Sequence, residues 1–459
     1  MRSSTASRWH LPLLAILVLL ATGRLVVASE DPSRLLLGPP LARTLASGDT
    51  HSYRLEASAE KRLLVTVEQQ GIDVVVKATD AAGKVLAAID SPNDRQGPES
   101  LLLPAGTAGA IRIDVVSPAK GVPGGAYEIR LEELPATTAG DRDRLEAERL
   151  MTLAAERFRE GTRDSRHAAA AAYEAAVALW RRLAEKRREA QALYCLAMTQ
   201  GSLGDVKPSL AMQREALALW TALGDSAAMG TSDIAIGLAL WHLGDMKEAK
   251  AALERAQALE RERGDRYSEL LAVNNLCLVY HSQGELDEAL KLCEQALEMS
   301  RQQGEAAREA GALHNLASVY DDLGQPQVAL ERYAEGLARL RAMGDKPGEA
   351  QTLNNQGVIY ADMGELGRAL SHYEEALARF REIGDRYREA RTLGNLGATY
   401  YSLGEPRRAL PYFEQALALR RSVGDRRGEV VTANNLGLAY LGLGEPQKAQ
   451  ESFRQALAL

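Results

Sequence analysis

The sequence predicts a mainly α protein, a long α-solenoid of stacked helix pairs preceded by a small antiparallel β-sandwich. Three observations carry this. Gly204, Gly244, Gly284, Gly324, Gly364, Gly404 and Gly444 are spaced by about 40 residues, and a period of that size marks a repeat architecture. Gly224, Gly264, Gly304, Gly344, Gly384 and Gly424 form a second series, each midway between two members of the first. Residues 41–134 have another texture, short β-branched runs cut by turn signals.

The composition agrees. The 459 residues are 46% hydrophobic and 25% charged, a globular balance, and the 5% aromatic share suits long Ala- and Leu-rich helices. Lys+Arg 55 against Asp+Glu 62 gives −7; without Arg2, Arg8 and Arg24 of residues 1–29, which hold no acid, it is 52 against 62, or −10. A chain this acidic lacks the concentrated positive surface that general nucleic-acid binding needs. Three cysteines exclude a disulfide scaffold.

Residues 1–29 read as a secretory signal. A basic start, the apolar run Leu11–Gly23 and the small residues Ala28 and Ser29 give its three parts. The run is shorter than the roughly 20 residues a spanning helix needs. Cleavage leaves a mature chain with no membrane span, periplasmic or secreted; an uncleaved anchor is the alternative. With no cysteine before Cys195, lipid attachment at the cleavage site is excluded.

Residues 41–134 then form the sandwich. HSYRLEA, KRLLVTVEQQ, IDVVVKATD, KVLAAID, AIRIDVVS and AYEIRLEEL read as strands, about eight being expected in all. Turns fall at Asp80–Gly83, Ser91–Asp94 and Gly121–Gly125. The opening Gly48-Asp-x-His-x-Tyr53 and the closing Gly125-Ala-Tyr127 strand resemble the bacterial pre-peptidase C-terminal domain, which implies a jelly-roll. His51 stands alone and reads as a packing residue. Asp73, Asp80, Asp90 and Asp94 offer oxygen ligands, yet their spacing matches no cation loop and turn formation explains them. Residues 135–144 are expected to be linker.

From 145 to 459 the clock of glycines sets the structure. Each glycine ends a helix of about 17 residues in the left-handed conformation, and the acid that generally follows opens the next. Pro326, Pro406 and Pro446 fall in a first turn, where proline is tolerated. Tyr280, Tyr320, Tyr360, Tyr400 and Tyr440 recur with the same period, as do alanines from Ala249 to Ala449, so small residues let paired helices approach closely. LNNQGVIYADMGELGRALSHYEEALARF, with Gly357, Tyr360, Gly364, Ala369, Tyr373 and Ala376 at signature positions, resembles the tetratricopeptide repeat. The resemblance covers residues 145–459 and implies a right-handed solenoid of about eight units, the last cut short. The unit is longer than the usual one of about 34 residues, like those of kinesin light chains and Rap-type regulators.

The first helices of such an array line its inner face, and there an asparagine ladder stands out. Asn275, Asn315, Asn355, Asn395 and Asn435 share one position, preceded by Asn274, His314, Asn354, Gly394 and Asn434. Asparagine is a poor helix former, so five in register want a reason. An amide donates and accepts, so the ladder suits the backbone of an extended peptide; long-helix relatives of the repeat use asparagines so. The competing reading is that each Asn ties its helix to the preceding repeat. His281, Asp321, Asp322, Asp362 and Tyr401 are the candidates for side-chain pockets, and the acids favour a peptide carrying Lys or Arg.

Other signals are weak. Cys277 and Cys293 read as buried packing thiols, His281 and His314 are expected to face each other without forming a metal site, and Trp180 and Trp220 pack. No catalytic motif or phosphate loop is present, and no cofactor is expected. The glycine clock would place the next helix end beyond Leu459, as in a fragment. The order of signal, sandwich and repeats resembles secreted CHAT-domain tetratricopeptide proteins, in which a caspase-like cysteine protease follows. Two functions result: an extracytoplasmic scaffold binding a protein or peptide, or the sensing half of such a protease.

Overall fold

The computed structural model describes residues 34–92, 95–118, 124–135 and 138–459. The signal-like residues 1–29, Asp94 and residues 121–123 lie outside the described residues.

Among the described residues eight strands come first: β1 (Leu41–Leu45), β2 (Thr50–Ala57), β3 (Leu63–Gln70), β4 (Val75–Asp80), β5 (Val85–Ile89), β6 (Gln96–Leu102), β7 (Gly109–Val116) and β8 (Gly125–Glu133). They pair antiparallel as β1 with β8, β2 with β7, β3 with β6 and β4 with β5, one long hairpin. Rolling that hairpin sends alternate pairs to opposite sheets, β1-β8-β3-β6 and β2-β7-β4-β5, which is a jelly-roll. β2 alternates, with Tyr53 and Leu55 inside and Ser52 and Arg54 outside. The residues behind the pre-peptidase resemblance meet across the core: the Tyr127 hydroxyl lies 2.5 Å from that of Tyr53 and 2.8 Å from His51 Nδ1. Burial raises both phenols. Asp80 is a turn former, its Oδ1 accepting from the Ala82 and Lys84 amides.

Sixteen helices follow in eight pairs: α1 (Ala139–Glu160), α2 (Arg163–Leu183), α3 (Lys186–Leu203), α4 (Val206–Leu223), α5 (Ser226–Leu243), α6 (Met246–Arg263), α7 (Arg266–Ser282) and α8 (Leu286–Gln303) make the first four. The rest are α9 (Ala306–Asp322), α10 (Pro326–Met343), α11 (Lys346–Asp362), α12 (Leu366–Ile383), α13 (Arg386–Ser402), α14 (Pro406–Val423), α15 (Arg426–Gly442) and α16 (Pro446–Ala458). The linker is shorter than expected. Thr138 Oγ1 accepts from the Asp141 amide and Asp141 Oδ2 from the Thr138 amide, a capping box that starts α1 inside residues 135–144.

Helix ends follow the glycine clock. Gly224 is left-handed at φ +68°, its amide donates to Thr221 O, and the Asp225 amide donates to Trp220 O, closing a Schellman motif. Inside the pairs, an added Cβ at Gly357 would lie 2.6 Å from the Tyr373 ring, and one at Gly397 2.6 Å from Phe413. The small residue of the signature is therefore the socket for the aromatic of the partner helix.

Two features were not foreseen. A clasp joins successive pairs: Arg181, Arg261, Arg301, Arg341, Arg381 and Arg421 bond Glu189, Glu269, Glu309, Glu349, Glu389 and Glu429, each in the helix that follows, at 2.7–3.4 Å. Each glutamate is buried in the first turn of the next helix pair. Cys277 and Cys293 are not packing thiols but a disulfide between α7 and α8, with Cα atoms 5.4 Å apart. The antiparallel pairing of α7 and α8 brings these two positions level. Cys195 stays a buried free thiol.

The sandwich is docked on the solenoid. The first five residues of β3 are buried on both faces because Leu64, Leu102 and Leu134 pack on Leu145 of α1. The Leu102 amide donates to Thr152 Oγ1 at 3.1 Å, and Gln191 Nε2 of α3 to Pro98 O at 3.2 Å. Farther along, Arg95 forms a buried ion pair with Glu305, the residue capping α9, and lies 4.1 Å over the Tyr267 ring of α7. Among the described residues no helix is long and apolar enough to cross a membrane.

Candidate functional site

The first helices of successive pairs touch: α5 with α7, α7 with α9, α11 with α13 and α13 with α15. The second helices do not approach one another to that extent, so the first helices line the inner face. Bonded neighbours on this face lie one position beyond the repeat period, because each helix is offset slightly from the last. Asn315 Nδ2 donates to Asn274 Oδ1 at 3.1 Å, Asn355 Nδ2 to His314 Nε2 at 3.4 Å, and Asn395 Nδ2 to Asn354 Oδ1 at 3.3 Å. These are rungs of one ladder. The fourth is missing because Gly394 has no side chain to offer Asn435.

The rungs leave part of the ladder open. Asn275, Asn434 and Asn435 make no side-chain hydrogen bond among the described residues, and Asn315 and Asn395 use only their Nδ2 groups. Asn354 is buried and also accepts from Thr392 Oγ1 at 3.0 Å, a supporting role. The others are half-buried, apart from the exposed Asn434.

The same offset step orders the far ends of these helices, about 10 Å away at 1.5 Å per residue. His281 Nε2 bonds Asp322 Oδ2 at 2.6 Å, so it faces this acid and not His314 as expected. Asp321 and Asp362 stand one such step apart without a bond between them, and burial, then the charges of Asp322 and Asp362, raise the Asp321 carboxyl. Tyr401 is exposed and lies against Gly442. The sequence reading missed Leu238 and Leu438, apolar residues exposed on the same face at the step between ladder and acids. Their recurrence at a multiple of the period was the available signal.

Burial, aided by Arg391, lowers the His314 imidazole to about 4. The ring is thus neutral at pH 7, and its Nδ1–H tautomer accepts from Asn355. A depressed folded-state value means that this stability is complete above about pH 6.5 and is lost as the pH falls towards 4. Between pH 7 and 4.5 the wild type is expected to lose about 1–3 kcal/mol more than His314→Gln in urea melts. Equal losses would remove His314 as the cause.

Residues 268–342, 348–422 and 408–459 match the tetratricopeptide repeat model TPR_12, and residues 234–263 match TPR_8, also a tetratricopeptide repeat. Among solved structures, the apo form of the quorum sensor NprR from B. thuringiensis is 16% identical, with a TM-score of 0.53 over 70% of this chain and 88% of that one. A Rap protein complexed with competence and sporulation factor is 11% identical, with a TM-score of 0.51 over 71% and 87%. A STAND ATPase with a tetratricopeptide repeat sensor, from Pyrococcus horikoshii, is 15% identical, with a TM-score of 0.50 over 70% and 53%. These likenesses are likenesses of fold. The comparison with curated proteins returns no match. The inner face with its ladder is therefore built on tetratricopeptide repeats over residues 234–263, 268–342 and 348–459.

Proposed function

We propose that the chain is an extracytoplasmic interaction scaffold that grips an extended peptide or partner segment along its first helices. The observation that carries this is the ladder. The rungs hold Asn315 and Asn395 in fixed rotamers with their Oδ1 atoms open, while Asn275 and Asn435 keep whole amides for a ligand. Such preorganisation lowers the ordering cost of binding. Five net hydrogen bonds of about 0.5–1.5 kcal/mol each fall short of the roughly 8 kcal/mol of a micromolar complex. Leu238, Leu438 and Tyr401 supply apolar contacts, and Asp321, Asp322 and Asp362 favour a Lys or Arg in the ligand. A Rap protein of this fold is complexed with competence and sporulation factor, which supports the reading by analogy. The signal-like residues 1–29 and the Cys277–Cys293 disulfide support a location outside the cytoplasm.

The rungs equally favour a second reading, in which the ladder only ties repeats together. Two double variants separate the readings, using a peptide selected by display on the full chain. Asn275→Ala with Asn435→Ala touches no rung and should weaken binding about tenfold at unchanged melting temperature. Asn315→Ala with Asn355→Ala cuts two rungs and should also cost about 1–2 kcal/mol of stability. Unaltered affinity in the first variant would leave only the structural role. The protease-sensor alternative rests on the order of segments, and a His/Cys domain in the reading frame downstream would favour it.

A further inference from the structure

The junction of sandwich and solenoid forms an open-sided cavity of about 320 Å³ that the ladder does not use. Its floor is the outer face of the sheet β1-β8-β3-β6, and its roof is the amino-terminal halves of α3 and α5 with Trp220 of α4. The wall beside Pro98 is closed by the Gln191 bond and by Arg188 Nη1, 3.3 Å from Ser100 Oγ. At this size it falls at the small end of ligand sites, room for a molecule of one or two residues and not for a strand.

The lining is charged but balanced, four arginines against four carboxylates. Three of the arginines are already engaged: Arg187 with Asp225 at 2.5 Å, Arg188 with Glu148 at 2.8 Å, and Arg130 with Glu132 at 3.4 Å. Arg144 of α1, Glu68 of β3 and Glu185 before α3 have no ion pair among the described residues. Glu68 reaches the open side of the cavity; partial desolvation raises its carboxyl although Arg188 and Arg187 oppose it. The buried Thr66 hydroxyl beside it also lacks a hydrogen-bond partner. Trp220, Tyr194 and Ala228 give the roof an apolar side.

A pure anion would meet Glu68, and a pure cation would meet Arg144. A molecule with both charges and an apolar group satisfies all three features. We propose that this cavity binds a small zwitterion, an apolar amino acid or dipeptide, with its ammonium at Glu68 and Thr66, its carboxylate at Arg144, and its side chain under Trp220. The site is independent of the ladder, and its occupation fastens sandwich to solenoid, because its ligands come from both.

Calorimetric titration of the full chain with glycyl-L-leucine tests this, with L-leucinamide and N-acetyl-L-leucine as probes that each lack one charge. Saturable binding of the dipeptide is expected, with both single-charge probes at least about tenfold weaker. Glu68→Gln and Arg144→Gln remove groups without an ion pair, so each should weaken the dipeptide about tenfold at unchanged melting temperature. No heat with millimolar dipeptide overturns the proposal. So does equal binding of the single-charge probes, or unaltered affinity in both variants.

Discussion

Replacing Arg95 by Ala is expected to cost about 3–5 kcal/mol and to unseat the β-sandwich. The guanidinium forks onto Glu305, with Nη2 3.0 Å from Oε2 and Nη1 bonded to Oε1. Both side chains are almost wholly buried, 9% and 3% exposed, so the lost partner leaves a carboxylate with little water to turn to. The same change strips the cation from the Tyr267 ring. Paired replacement behaves differently, because a buried ion pair replaced as a whole by neutral groups is often close to neutral. Arg95→Met with Glu305→Gln should thus recover much of the loss. Scanning calorimetry reads the outcome: the single variant should split off an early transition for the sandwich, and the double variant should restore it. A single unshifted transition in Arg95→Ala would mean that the apolar packing on α1 alone holds the junction.

Gly357→Ala and Gly311→Ala are expected to change stability with opposite signs, though both glycines lie within first helices. Helix propensity favours Ala over Gly by about 1 kcal/mol at each position. At Gly311 an added Cβ meets nothing within 4 Å, so the gain should be realised. At Gly357 it would stand 2.6 Å from the ring of Tyr373, which is 2% exposed and has nowhere to swing. Overpacking of that kind costs about 1–3 kcal/mol, and Gly357→Val should cost more still. Melting temperatures of the two Ala variants decide it. If Gly357→Ala is stabilised too, the aromatic does not fill the socket described above.

Much of this was legible because the chain repeats itself. Glycines such as Gly224 announced the helix ends from Gly204 on, whereas α2 stops at a left-handed Ala184 that no pattern marks. Gly357 and Tyr373 showed as signature positions, and their contact came with the fold. What repeats once was harder to see. β6 was passed over because Gly97 and Pro98 break the alternation that marks a strand, and it is these residues that meet α3. Thr138 and Asp141 form a short cap in a polar stretch, easily taken for linker. The ladder was visible as a row of asparagines, but its rungs depend on the offset between helices, which sets each partner one position past the repeat period. That offset also redirects His281 to Asp322. The Arg95–Glu305 pair joins residues 210 apart in sequence with no pattern to link them.

The docked sandwich has a mechanical consequence. A solenoid is an elastic spring whose pitch yields under small forces, since each turn touches only its neighbours. Contacts to α1 and α3, then to Tyr267 on α7 and Glu305 at the start of α9, splint that spring over its first turns. Bending and stretching are then concentrated in α11–α16. Asn275 and Asn315 ride on the splinted length, whereas Asn355, Asn395 and Asn435 ride on the compliant one. Anything stretched along all five asparagines crosses that boundary, so its length sets the pitch of the free turns while the splinted turns act as the fixed end of a gauge.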